Sequence, residues 1–415
     1  MDITYPLHLF EAFGIELEYM IVNQETLMVA PIADQLLKDH SDTFINEVER
    51  GALAWSNELV LHVIELKTNG PAKELQTLPG LFQKSIREIN ERLRPAGACL
   101  LPTAAHPFMD PFKDTCLWPH EQTAIYRAYN RIFDCSGHGW SNLQSTHINL
   151  PFASNDEFVR LHTAIRLLLP IIPALTASSP IIEGKITGFL DTRLEFYRNN
   201  QVKVPSITGK VVPEPIASIQ DYQDKILSPI YRDIAPYDAE GILQEEWLNS
   251  RGAIARFERG AIEIRVLDIQ ECPLADLAIV HIITSALKAL VNEHWTSFED
   301  QMAWSEEYLS TILLETIKNG SASILNDTGY LMQFGITDRN YITANELWRF
   351  IVDDLLPYKS GENELFRAPL SVILDHGTLA ERILKALNTQ PDYDTIKAIY
   401  QKLAQHLEDG TLFIE

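Results

Sequence analysis

The sequence predicts an α+β fold, a single domain with a sheet-rich part over residues 1–272 and a mainly helical part over 273–415. Three observations carry this reading. Segments in which apolar and polar side chains alternate, or β-branched residues cluster, recur at 13–22, 58–68, 144–151 and 253–269, as strands require. Segments with helical spacing interleave with them, and after Pro273 helical spacing persists along the rest of the chain.

In chain order, F-G-I-E-L-E-Y-M-I-V at 13–22 sets Ile15, Leu17 and Tyr19 on one face of a strand and Glu16 and Glu18 on the other. The run E-L-V-L-H-V-I-E-L-K-T at 58–68 is a second strand, ended by the turn signal Asn69-Gly70-Pro71. Leu81, Ile86, Ile89 and Leu93 mark a helix over 78–93, closed by Pro95 and Gly97. A helix near 122–133 and a strand at 144–151 follow. A helix over 156–175 opens on Ser154 or Asn155 as N-cap and bends or ends near Pro170. Residues 177–215, dense in Ser, Gly and Pro, read as a long loop, and loops of that length commonly carry function. Residues 253–269 read as a hairpin reversing at Gly260. Helices are then expected at 274–294, 305–318, 344–356, 379–387 and 393–407.

The chain has 57 acidic against 34 basic residues, a net charge of −23, which argues against a polyanion binder. Basic residues are neither clustered nor interleaved with aromatics, so nucleic-acid binding has no support. A hydrophobic fraction of 46% can fill a large core and excludes general disorder. Cys99, Cys116, Cys135 and Cys272 form no Cys-x-x-Cys pair, and reduced, mostly buried thiols are expected. The apolar stretches 167–177 and 277–291 are interrupted by Pro170 and Pro173, or by His281, Ser285 and Lys288, and the first residues do not read as a signal peptide. A soluble, cytoplasmic protein without a membrane partner is expected; a homo-oligomer stays open.

The informative acids are those in apolar strands. Glu16 and Glu18 share a strand face, Glu65 and Glu263 interrupt otherwise apolar runs, and His147 and Asn149 alternate in T-H-I-N-L. If these strands are neighbours, carboxylates and an imidazole converge on one face and repel unless cations neutralise them. Such an oxygen-rich set suits Mg²⁺ or Mn²⁺ better than zinc. Glu58 is seven residues from Glu65, on the opposite face of an unbroken strand, so it joins only from a loop or through a bulge. Arg265 shares the face of Glu263, a placement suited to clamping a phosphoryl group.

The segments G-I-E-L-E-Y at 14–19, V-I-E-L-K-T at 63–68, L-T-A-S-S-P at 175–180 with T-G-F-L-D-T-R at 187–193, and A-I-E-I-R-V-L-D at 261–268 resemble the glutamate-cysteine ligase and carboxylate-amine ligase family, of the glutamine synthetase fold superfamily. D-H-G-T-L-A-E-R-I-L at 375–384 is similar to a late helix of its members. The resemblance implies an antiparallel sheet forming a funnel with flanking helices, ATP entering one end and the amino-acid substrates the other. It implies Glu18, Glu58 and Glu65 as ligands of one metal and Glu16, His147 and Glu263 of a second, with Glu65, Glu263 and Arg265 central to catalysis. Arg265 would sit at the transferring phosphate and Arg193 would meet a substrate carboxylate, with Arg256 and Glu258 in support. Many members carry H-V-H-V where this chain reads T-H-I-N, which places Asn149 at the second histidine.

The resulting expectation is a ligase that uses ATP and Mg²⁺ or Mn²⁺ to join the γ-carboxylate of glutamate, or a similar amino acid, to an amine acceptor, typically cysteine, through an acyl phosphate, with 177–215 as a lid. A metal-dependent phosphotransferase or hydrolase on the same acidic face, or a non-catalytic binding protein on this scaffold, are the alternatives. There is no G-x-x-x-x-G-K-[ST] loop, and His120-Glu121 lacks the second histidine of a zinc protease, Ala124 standing there. His62 reads as a packed or hydrogen-bonded residue.

Overall fold

The structure, a computed structural model, describes residues 6–39, 41–357, 361–387 and 390–414. Its centre is an eight-stranded antiparallel sheet. The strands are β1 (Gly14–Asn23), β2 (Glu47–Arg50), β3 (Leu53–Asn57), β4 (Val63–Thr68), β5 (Ala98–Leu101) and β6 (Ser145–Pro151). After a separate two-residue pair, β7 (Ile181–Ile182) and β8 (Lys185–Ile186), come β9 (Ala253–Arg256) and β10 (Ala261–Asp268). The order is β2-β3-β4-β1-β6-β10-β9, with β5 also pairing with β1.

Alternation along these strands builds the two faces. Ile15, Leu17, Tyr19, Ile64, Leu66, Ile148, Leu150, Ile262 and Ile264 are wholly buried. They join one apolar cluster with Phe82, Ile86 and Ile89 of the helix Leu78–Leu93, Phe158, Leu161 and Ile165 of Asn155–Leu168, and Leu277, Val280 and Ile283 of Pro273–Val291. The other face carries the acids in register. Glu18 pairs with Glu65, Glu16 pairs with Lys67 on one side and His147 on the other, and Glu263 pairs with Asn149. The β10–β6 register shifts between Ile264 and Leu267, a bulge at Arg265 and Val266.

Of the strand expected at 58–68 only β4, Val63–Thr68, forms, and β3 before it was not expected. β3 ends at Asn57 and β4 begins at Val63 because the intervening backbone bonds elsewhere: Leu61 N donates to the Cys116 carbonyl at 2.7 Å, and Leu59 O accepts from Trp118 N at 2.9 Å. Glu58 therefore precedes β4 on a connection, which removes the face conflict with Glu65. The 156–175 helix is Asn155–Leu168, capped by Ser154, whose Oγ accepts from Glu157 N at 3.2 Å; a 3₁₀ turn at Leu169–Ile171 and a short helix Pro173–Thr176 follow.

The stretch 177–215 is loop for most of its length, interrupted by β7, β8 and short helical turns. Residues 177–182 are buried, Thr192–Tyr197 is a helix, and Asp268 Oδ2 accepts from Ser178 N and Ser179 Oγ, both at 2.9 Å. Its first part is an interior segment and cannot act as a lid. Helix Gly361–His376 was hidden by its internal Pro369, which signals a break. Helix Pro273–Val291 is long and apolar enough to cross a membrane, but 72% of its apolar window is buried within the protein, so it serves as a core helix. All four cysteines are free; Cys135 and Cys272 are buried, Cys99 is half-buried and Cys116 is exposed, fewer buried thiols than expected.

Besides His147 on the acidic face, three histidines are buried among the described residues. His62 Nε2 meets the Ser141 carbonyl at 2.8 Å, His106 Nε2 meets the Leu27 carbonyl at 2.6 Å, and both ring nitrogens of His162 lack protein partners. Burial pushes His62 and His106 down to about 4, and burial with the charges of Arg166 and Arg251 pushes His162 down strongly. Unfolded histidine titrates near 6.5. Stability from these neutral rings is therefore present above that pH and lost as pH falls toward 4, by about 1.4 kcal/mol per ring per pH unit. Because the raised carboxyls of Glu58, Glu65, Asp191 and Asp276 act in the opposite sense over the same interval, the rings are followed directly: by NMR the His62 and His106 imidazoles of the folded protein are expected to be neutral at pH 5.5, and rings charged at that pH would contradict the assignment.

Candidate active site

The acidic face of the sheet opens on a cleft of about 570 Å³. Glu16, Glu18, Glu58, Glu65, His147, Arg193, Arg256, Glu263 and Arg265 all line it. The strands explain the convergence, because residues two apart on one strand share a face and antiparallel pairing places neighbours directly opposite.

Among the described residues, two groups of side chains bring ligand-type atoms within 4.8 Å of one another. One is Glu16, His147 and Glu263. The other is Glu18, Glu65 and His147, so His147 stands between both, and Glu58 lines the cleft without joining either group. His147 Nδ1 lies 2.9 Å from Glu16 Oε2, and its Nε2 lies 2.9 Å from Ser145 Oγ. Ser145 also donates its N and Oγ to Glu18 Oε2 at 2.7 and 2.8 Å. Ser56 Oγ donates to Glu65 Oε1 at 2.5 Å, and Lys67 Nζ lies 3.3 Å from the same oxygen and 2.7 Å from Glu47. Asn149, at the second histidine position, donates Nδ2 to Glu16 Oε1 at 3.1 Å; its buried Oδ1 has no protein partner.

The electrostatics show the strain of gathering these acids. Burial and the charges of Glu18, Glu65 and Glu16 raise the Glu58 carboxyl well above the usual range. Burial and Glu16 push Glu65 up to about 7. Burial acts against a charged His147, but the charges of Glu18, Glu16 and Glu263 outweigh it and raise the ring. Burial would raise Glu263 too, yet Arg265, His147 and Arg256 hold it at about 2.

Three arginines border the acids. Arg265, at the bulge, donates Nε to Glu263 Oε1 at 3.0 Å while 20% of its side chain stays exposed to the cleft. Arg256 Nη1 meets Glu263 Oε2 at 2.9 Å and its Nη2 meets Glu258 at 3.0 Å. Arg193 is turned inward: Nε donates to Asp268 at 2.5 Å, and both Nη atoms lie 3.4 and 3.5 Å from the Arg265 carbonyl.

The sequence reading passed over Ser56, Ser145 and Lys67, and the aromatic wall of Tyr126, Tyr129, Trp140 and Trp247. Ser145 and Lys67 had a signal, the two-residue spacing from His147 and Glu65. Tyr126 and Tyr129 sit three apart on the helix Thr123–Phe133 and so share one side. A second cavity of about 380 Å³ includes Leu7, Phe13, Pro71 and Asn149, and shares Glu16, Lys67 and Arg259 with the main cleft.

Comparison with known proteins places this geometry. The profile of glutamate-cysteine ligase family 2 matches residues 12–402. A protein of Archaeoglobus fulgidus described as uncharacterized is 41% identical over 280 residues, 68% of this chain and 75% of that protein. The fold is similar to that of the glutamate-cysteine ligase of Francisella tularensis in complex with AMP, with a TM-score of 0.62 and 12% identity over 98% of this chain and 90% of that one. It is also similar to a bifunctional glutathione synthetase of Pasteurella multocida, with a TM-score of 0.58 and 14% identity over 97% of this chain and 52% of that one. At these identities the two structures speak for the fold, an antiparallel sheet with flanking helices, and the family profile spans nearly the whole chain: the protein belongs to glutamate-cysteine ligase family 2.

Proposed function

We propose that the protein is a soluble, cytoplasmic ligase that uses ATP to join the γ-carboxylate of glutamate, or of a similar amino acid, to an amine, with cysteine the typical acceptor. The observation that carries this reading is the convergence of Glu16, Glu18, Glu58, Glu65, Glu263, His147 and Arg265 on one cleft. The fold's likeness to a ligase crystallised with AMP supports a nucleotide site.

The donor set fits a hard divalent cation. Carboxylate oxygens dominate, one imidazole joins both groups, and the buried Asn149 Oδ1 is unpartnered. Glu16, His147 and Glu263, and Glu18 with Glu65, would hold Mg²⁺ or Mn²⁺, with Glu58 close by. Bound there, the cations would offset the charge of the polyphosphate.

The residues then divide the work. The second cavity, with Leu7, Phe13 and Pro71, suits the nucleoside, and Lys67 and Arg259 stand where the phosphates pass into the main cleft. Arg265 faces the transferring phosphoryl group, and Arg256 serves the substrate side. A carboxylate does not expel hydroxide, so its oxygen takes the γ-phosphoryl of ATP and ADP leaves. The amine nitrogen attacks the acyl carbon, loses a proton and displaces phosphate. The aromatic wall over the cleft limits water, which would hydrolyse the acyl phosphate.

The test supplies ATP, Mg²⁺ and glutamate with a panel of amines, following ADP release and condensed products by mass spectrometry. ADP release that requires both amino acid and amine, with a product lighter than its parts by one water, is the expected result. ADP release without an amine would indicate a phosphotransferase or hydrolase instead.

A further inference from the structure

We propose that Asp268 and Arg193 are positioning residues that set Arg265 through the main chain of β10, and do not bind substrate. The inference rests on the role given above to Arg265. At the bulge, Ile264 pairs with Ile148 and Leu267 with Thr146, so Arg265 and Val266 together oppose His147. A bulge disrupts the ladder and re-aims a side chain. Here the Arg265 amide donates to the Gly252 carbonyl at 3.0 Å, and its carbonyl faces both Nη atoms of Arg193. A guanidinium thus grips the backbone of the residue whose own guanidinium faces the phosphate.

Arg193 is itself over-determined. Its Nε is fixed by Asp268 Oδ1, its amide donates to Ser179 Oγ at 3.1 Å, and Asp268 Oδ2 is held by Ser178 and Ser179. Arg193 is 2% exposed and Asp268, Ser178 and Ser179 are fully buried. The adjacent Asp191 carboxyl is raised by burial and by the charge of Asp268. A buried pair of this kind contributes little net stability, whereas its position against the bulge fixes a geometry. The segments L-T-A-S-S-P and T-G-F-L-D-T-R meet β10 at this point.

The test combines Arg193→Lys, Arg265→Lys and the double variant, with Ser179→Ala as a milder change should Arg193→Lys fold poorly. Steady-state ADP release gives kcat and KM for the amino acid, and hydrogen exchange of the resting protein reports on 261–268. For Arg193→Lys, kcat is expected to fall about 10²-fold with KM nearly unchanged, and exchange to rise within 261–268. The double variant should lose no more than Arg265→Lys alone; Ser179→Ala should shift in the same direction by less. A KM rise of tenfold or more with kcat preserved, or additive losses in the double variant, would make Arg193 a substrate ligand and overturn the proposal. If the unmutated protein releases no ADP, the ligase reading fails separately. The exchange arm then decides: loosening confined to 261–268 supports the proposal, and unchanged exchange, or loosening spread over 175–198 with a lowered melting temperature, overturns it.

Discussion

Glu65→Gln is expected to reduce ATP turnover by about 10³-fold while leaving the protein as stable as before, or more so. Burial and neighbouring acids hold the Glu65 carboxyl up to about 7, so in the resting site it is substantially protonated near neutral pH, and glutamine mimics that form. The variant relieves repulsion with Glu16 and Glu18 and keeps an acceptor for Ser56, but loses an anionic ligand. Glu263→Gln should abolish turnover as well, at a structural cost. Glu263 lies between Arg265 and Arg256 and is held at about 2; removing its charge leaves two guanidinium groups without their shared partner, a loss of about 3–5 kcal/mol. Glu65→Gln is therefore the cleaner probe. Mn²⁺ titration followed by electron paramagnetic resonance, beside thermal melting and ADP release, separates the two effects. Normal turnover in Glu65→Gln would sink the metal assignment.

Arg265→Ala is expected to lower kcat by about 10³-fold or more, the scale of an arginine acting on phosphoryl transfer. Arg265→Lys should recover only part, because a lysine is a point charge and cannot present the guanidinium fork. Divalent-ion affinity should rise or stay level in Arg265→Ala, since Glu263 Oε1 is no longer shared with Arg265. A fall in kcat combined with undiminished Mn²⁺ binding distinguishes loss of transition-state stabilisation from loss of the metal site. If kcat stays within threefold of the parent, Arg265 does not face the transferring group.

Where strands present one face to the core, their chemistry was legible in advance. Glu16, Glu18, Glu65, His147 and Glu263 stood out because acids and an imidazole alternate with Ile, Leu and Tyr, and that alternation is what the pleat converts into a face. β3 was hidden because all five of its residues are buried and nothing alternates. The loop position of Glu58 depends on hydrogen bonds to 116–118, a long-range pairing without local signature. Arg193 is the instructive case. Its motif pointed to the site, but the direction of its side chain is decided by Asp268, 75 residues away, and local spacing carries no information about that partner. The 177–182 segment looked like a loop for a related reason: its Ser and Pro residues are turn formers on their own, and only contact with β10 turns them into interior structure.

The two-sided strands also bear on how such a protein can change. Each of β1, β4, β6 and β10 encodes the core and the site in alternate residues, so inserting or deleting one residue would turn apolar side chains toward water and drive acids into the core in one step. A slipped pairing is thus penalised twice, which favours a single alignment during folding. Over evolutionary time, pocket and interior are locked in phase: substitutions can refine either, but a length change within these strands is tolerated only where a bulge, as in β10, absorbs the extra residue, and novelty in substrate choice comes more readily from the connections around the mouth.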